Sequence, residues 1–316
     1  MPGGTAPRPA VPMPSPRWTR RRTSPTWKEV RRLGEASLYL LPSLAIFTAF
    51  VFVPLVRTIG LSLYATDPIG RPAVFVGLGQ YLRLASPTFL NSVKVTFLFV
   101  LYVVPPTLLL ALVLAVLGNL RLRRIGIFRG LFSSSIAVSG ATASVIFLMM
   151  YNPAIGPLNY LLESLGLPTL RWHTDASTAL LSVALTTVWL QLGLNTIILL
   201  AGMQGIPEEY YESAALDGAG FLTTLVRITL PLVSPTLFFL AVVDVLAAFQ
   251  TFAPFEIMTK GGPIDSTNTM VYSIYREFYF NGQYGFAAAQ SVVLFIVMLL
   301  LTILQFRVLE WRVFYQ

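Results

Sequence analysis

Six stretches of this chain run for twenty residues or more with at most two charged side chains in each, and nothing else in the sequence constrains the fold so tightly. They cover residues 37–64, 92–117, 127–151, 180–203, 232–257 and 286–306. A hydrocarbon core of about 30 Å is crossed by roughly 20 apolar residues in a helix. Lipid offers no partners to the backbone, so only helices or closed barrels cross it. The alternating segments of roughly ten residues that barrel strands require are missing. Composition agrees: 55% of residues are hydrophobic and 11% charged, against about 25% charged in soluble domains, and the mean hydropathy is +0.70. The expected fold is all-α, a polytopic membrane protein with six transmembrane helices.

Basic residues set the expected orientation. Arg8, Arg17, Arg20, Arg21, Arg22, Lys28, Arg31 and Arg32 precede the first span, and Arg121, Arg123, Arg124 and Arg129 join the second to the third. With Arg227, Arg307 and Arg312, this side holds fifteen, against seven on the other: Arg57, Arg71, Arg83, Lys94, Arg171, Lys260 and Arg276. The positive-inside rule then puts both termini in the cytoplasm. Residues 1–35 read as a basic cytoplasmic arm rich in Pro, Ser and Arg, suited to anionic headgroups rather than to nucleic acid. Residues 36–316 read as one membrane domain.

The function classes compatible with this layout are a membrane-embedded enzyme, a transporter or channel subunit, and a scaffold. Cysteine is absent, and the single histidine, His173, lies in an expected external loop, Arg171-Trp172-His173-Thr174-Asp175. A solvated His without partners makes no catalytic set. No Lys stands in the Gly-Lys-Ser/Thr context of a P-loop, because Lys28, Lys94 and Lys260 precede Glu29, Val95 and Gly261. Any dependence on ATP therefore falls to another subunit. Proline occurs within several spans, at Pro54, Pro105, Pro106, Pro235 and Pro254, where neighbouring helices can re-satisfy the freed backbone groups.

The connection between spans four and five is net negative on the side that should be positive. It begins Ile206-Pro207-Glu208-Glu209-Tyr210-Tyr211-Glu212. Pro207 and the acids suit a helix start, and Gly218 suits a sharp turn with positive φ. A second short helix is expected to reach Ile228, with Pro231 resetting the chain for the next span. A helix–turn–helix with a slim face fits the groove of a soluble partner as well as it fits a membrane surface.

Glu212-Ser213-Ala214-Ala215-Leu216-Asp217-Gly218, then nine residues, then Ile228-Thr229-Leu230-Pro231, resembles the EAA loop of ABC-importer permeases, with Ser213 where that family usually has Ala. Gln204-Gly-Ile-Pro207, Thr259-Lys-Gly-Gly-Pro263 with Ser266-Thr-Asn-Thr269, and Phe75-Val-Gly-Leu-Gly79 are similar to other segments of the carbohydrate-uptake branch. Tyr272-Ser-Ile-Tyr-Arg276, Ala288-Ala-Gln-Ser-Val-Val-Leu294, Gln305-Phe-Arg307 and Tyr315-Gln316 resemble the A-type permeases of glycerol-3-phosphate/glycerophosphodiester importers. The resemblance implies a non-enzymatic permease of a bacterial inner membrane that works by alternating access, its loop coupling it to an ATPase. Its implied partners are a second homologous permease, an ABC ATPase dimer that binds ATP and Mg, and an extracytoplasmic solute-binding protein. A sugar or oligosaccharide permease of the maltose/trehalose type is the alternative, and a scaffold subunit with no solute path is a third.

Candidates for the solute path are the polar residues inside the spans. Asp244 is an acid deep in span five, and Gln191 and Asn195 share a face of span four at i and i+4. Gln250 with Thr251, and Gln290 with Ser291, are further candidates. Such residues either line a cavity for a polyol or bond one helix to another.

Overall fold

The structure, a computed structural model, describes Ser37, residues 39–120 and residues 123–309. The expected basic arm, Arg121, Arg312 and Tyr315-Gln316 lie outside the described residues. The chain divides into two compact units between Leu55 and Val56. The first helix is α1 (Tyr39–Leu61), and none of its apolar stretch is buried.

In the second unit an antiparallel hairpin follows, β1 (Tyr64–Thr66) with β2 (Pro72–Phe75), and then a short α2 (Gly79–Leu82). α3 (Pro87–Asn119) starts at an extended Ser86 whose Oγ accepts the Phe89 N–H, with proline in the first turn, a sound helix start. It runs on through Pro105 and Pro106. Next come α4 (Ile125–Phe132), α5 (Gly140–Met150), α6 (Pro157–Ser164) and α7 (Ala179–Gln204). α8 (Glu208–Leu216), α9 (Phe221–Phe249), α10 (Ala253–Met258), α11 (Met270–Tyr275) and α12 (Tyr284–Leu309) follow. Among the described residues, five helices are long and apolar enough to span a membrane: α1, α3, α7, α9 and α12.

The expected third span, 127–151, is not one helix. It is α4, a 3-10 turn at Ser134–Ala137, and α5. Serine hydroxyls compete for the backbone here: Ser133 and Ser134 bond back to the carbonyls of Arg129 and Leu131, and Ser139 caps α5 by accepting the Thr142 N–H at 3.2 Å. The broken segment still runs antiparallel beside α7. Arg129 bonds the Gly118 carbonyl at 2.9 Å, where Gly118 packs on Leu200. Ser135 accepts the Gly193 N–H at 3.1 Å, and the Phe147 ring packs at a tilt against Trp189, centroids 5.5 Å apart. From Leu200 to Trp189 is about 16 Å of helix rise, so the segment passes through the same layer in pieces. Gly193 makes the close approach possible, since a Cβ there would lie 2.5 Å from Ser135 Oγ. Gly193→Val is expected to destabilise the chain by about 1–3 kcal/mol through overpacking, checked by thermal unfolding in detergent.

The expected fifth span is also corrected. It starts eleven residues earlier, at Phe221, and stops at Phe249 rather than Ile257. Pro231 does not reset the chain, because the helix continues through it. A π turn, Leu225–Thr229, closes just before it, with the Leu230 N–H reaching the Leu225 carbonyl. α1 repeats the arrangement, with a π turn at Thr48–Phe52 two residues ahead of Pro54. Proline crowds the carbonyl four residues back. In both helices that carbonyl, of Arg227 or of Phe50, falls inside the widened turn.

The core consists of two apolar clusters shared by α3, α7 and α9. One gathers Phe99, Val103, Val183, Val188 and Ala248 with Phe255 of α10. The other gathers Ala111, Ala115, Leu199, Met203, Val233 and Leu240. Between them all three helices contribute buried polar residues: Thr107 on α3, Asn195 and Thr196 on α7, and Asp244 on α9.

Candidate functional site

The loop after α7 is built by local rules. Pro207 stands at the N-cap of α8, one residue before the helix proper, and Glu208 and Glu209 fill the first turn, complementing the positive end of the helix dipole. At the other end Gly218 has φ +75°. The Ala219 N–H reaches the Ala214 carbonyl at 2.9 Å and the Gly218 N–H reaches Ala215 at 3.1 Å. This is the Schellman ending that glycine favours. An added Cβ at Gly218 would meet nothing within 4 Å, so the demand is for the backbone angle and not for space.

Within α8 only Ala214 is buried. Glu212, Ser213, Ala215, Asp217 and Gly218 are exposed, Ile228, Leu230 and Pro231 are half-buried, and Leu216 is 90% exposed. Phe221 and Leu222 are exposed beside the turn. Ser213, Asp217, Gly218, Thr223, Arg227 and Ile228 line an open cleft of about 540 Å³ between the two arms. The surface thus offers apolar knobs with Glu208, Glu209, Glu212 and Asp217 around them and Arg227 as the nearby cation. A basic groove with an apolar slot is its complement.

The five path candidates do not form one group. Asn195 and Asp244 are each 3% exposed, and Asn195 Nδ2 donates to Asp244 Oδ2 at 2.5 Å, joining α7 to α9. Gln191, one turn along α7, is half-buried with its Oε1 buried and unbonded. Gln290 is buried in α12, also with an unbonded Oε1. Gln250 is exposed and caps the end of α9, where the backbone unwinds before α10. Thr107 was not among the expected site residues. It carries no charge, but Thr107, Ala111 and Ala115 form a small-residue stripe at spacing four, the usual mark of close helix contact in membranes.

The segments expected to be external hold themselves by polar bonds. In the Thr259–Thr269 loop, Thr267 Oγ1 donates to the Gly262 carbonyl at 2.7 Å, and Arg276 pairs with Asp265 at 2.7 Å. Asn159 accepts the Leu170 N–H and the Trp172 indole N–H, tying the loop before α7. His173, expected to be solvated, is half-buried with its Nδ1 inaccessible, and burial lowers its pKa from the ordinary histidine value.

Residues 73–315 match the family described as binding-protein-dependent transport system inner membrane component. The chain is 37% identical over 283 residues to the sn-glycerol-3-phosphate transport system permease protein UgpA of Yersinia enterocolitica, which covers 88% of this chain and 95% of the relative. It is 36% identical over 282 residues to the protein of the same name from Agrobacterium fabrum, with the same shares covered. A chain in the crystal structure of a bacterial ABC transporter involved in the import of the acidic polysaccharide alginate shares the fold, with a TM-score of 0.73, 23% identity, and 90% and 98% of the two chains covered. Fold and loop define a polytopic, all-α membrane permease. More narrowly, the chain belongs to the family of binding-protein-dependent transport system inner membrane components, and it is a permease subunit of an ABC importer.

Proposed function

We propose that this permease carries glycerol-3-phosphate or a glycerophosphodiester. The observation that carries this reading is its 34–37% identity, over 88% of its length, to permeases named for sn-glycerol-3-phosphate transport. A second, homologous permease completes the translocation path, and the Glu212–Pro231 loop docks on an ATPase dimer that binds ATP and Mg. This chain hydrolyses nothing itself, in keeping with the lack of a P-loop. Transport proceeds by alternating access: the two conformations bind the nucleotide-loaded ATPase unequally, and that difference moves the equilibrium. The test is ATPase activity of the reconstituted complex with binding protein. Stimulation by glycerol-3-phosphate but not by maltose or trehalose is expected, and the opposite pattern would favour the oligosaccharide reading.

For the path, exposure is the useful criterion. A solute between two permeases meets residues at the surface of each, and unwound backbone at membrane depth is tolerated where it lines a cavity. Gln250 meets both conditions, and Asn195 and Asp244 meet neither. Gln250→Ala is expected to raise the half-saturating solute concentration about fivefold, the worth of one ordinary hydrogen bond, with uptake normalised to assembled complex. An unchanged value removes Gln250 from the path.

We also infer that both termini are cytoplasmic. The chain has no native Cys, so single probes report cleanly. Ile264→Cys, at a site 93% exposed, should react with an impermeant maleimide on intact cells. Ser213→Cys should react only after lysis. The reverse pattern would overturn the orientation.

A further inference from the structure

α8 has one buried residue, so the motion of a docked partner must reach the bundle through few contacts. One of them is specific: the Tyr211 hydroxyl lies 3.3 Å from Thr229 Oγ1. Thr229 is the last residue of the π turn in α9 and is 7% exposed. Its hydroxyl is also 3.5 Å from the Thr224 carbonyl, on the far side of the same turn. Tyr211 and Thr229 both line a pocket of about 190 Å³ with Val116 and Asn119 of α3 and Met203 of α7. The joint therefore lies where α8 meets the ends of three core helices.

We propose that Tyr211 and Thr229 are positioning residues that form the joint by which α8 turns α9, with the π turn as its compliant part. This rests on the coupling role given to the loop above. A hydroxyl pair at 3.3 Å is longer than the usual 2.7–2.8 Å. A small rotation of α8 toward α9 closes it and rotation away parts it. Only an interaction that differs between two states moves their equilibrium, and this contact is poised to differ. π turns inside helices recur at functional positions.

The test uses the complete complex in nanodiscs with saturating binding protein, and reads basal ATPase, stimulated ATPase and thermal midpoint together. Tyr211→Phe and Thr229→Val each remove the bond and keep the shape. Each is expected to lower the ratio of stimulated to basal ATPase about fivefold, with assembly, basal rate and midpoint unchanged. The double variant should be no worse than either single one, as coupled residues require. Thr229→Ser keeps the hydroxyl and should keep the ratio. Additive losses, or a Thr229→Ser variant as poor as Thr229→Val, would overturn the joint. Loss of the ATPase subunits in Leu216→Asp, with the ratio intact in Tyr211→Phe, would sink the joint while leaving the docking role standing. Retention of the ATPase subunits in Leu216→Asp would count against the docking role itself.

Discussion

Gly218→Val is expected to leave the permease inserted and assembled at normal yield, yet to abolish solute-stimulated ATPase in the reconstituted complex. The glycine sits at φ +75° with open space around it. A β-branched residue held in that region costs of order 1–3 kcal/mol. The Schellman bonds from Ala219 and Gly218 hold only at that angle. The cheapest escape for valine is to unwind the last turn of α8, which moves Leu216 and Asp217 off the proposed docking surface. Asn tolerates the left-handed region far better, so Gly218→Asn should retain most of the stimulation. Equal failure of both variants would point to crowding by a partner rather than to the backbone angle. Full stimulation in Gly218→Val would remove the coupling role of this turn.

Asn195→Leu is expected to be the most damaging single change in the bundle. It strips the hydrogen bond from an acid that is 3% exposed and leaves Asp244 without its amide partner. Breaking a buried polar pair by removing one member costs about 3–5 kcal/mol where the remaining group is charged. Polar bonds between membrane helices average nearer 0.6 kcal/mol where it can find another partner. The first regime is expected here, because apolar clusters bound the layer on both sides. Complex yield and thermal midpoint should fall. The double change Asn195→Leu with Asp244→Leu should recover both, since no polar group then remains to be satisfied. Transport per assembled complex should be unchanged in Asp244→Asn. A raised half-saturating solute concentration in that variant would return Asp244 to the solute path.

The helix and turn of the loop after α7 were legible in the sequence because their determinants are local. A proline followed by acids, two alanines and a glycine specify a short capped helix whatever packs around it. The long apolar helices were legible for a similar reason, since twenty uncharged residues leave little choice. The interruption after Phe132 was hidden because serines carry no charge and disappear into a hydropathy average. The serines at 133–135 and the Ser139-Gly140 pair were nevertheless the available signal. The early start of α9 was missed because Pro231 suggested a boundary, whereas a widened turn just before it absorbs it. Asp244 drew notice as an acid in apolar surroundings. Its bond to Asn195 did not, because the two residues are 49 positions apart and pairing across helices leaves no mark in either local sequence.

The π turns of α1 and α9 have a consequence for azimuth. Each holds one residue more than an α-helical turn, and a residue in an α-helix advances the chain by about 100°. Deleting one residue between Leu225 and Thr229 would restore ordinary winding, but it would swing everything before it roughly a quarter-turn around the axis of α9. α8 would then leave the bundle toward a different neighbour. The extra residue therefore sets the compass bearing at which the permease presents its loop. A one-residue deletion there should cost the chain far more partner binding than fold.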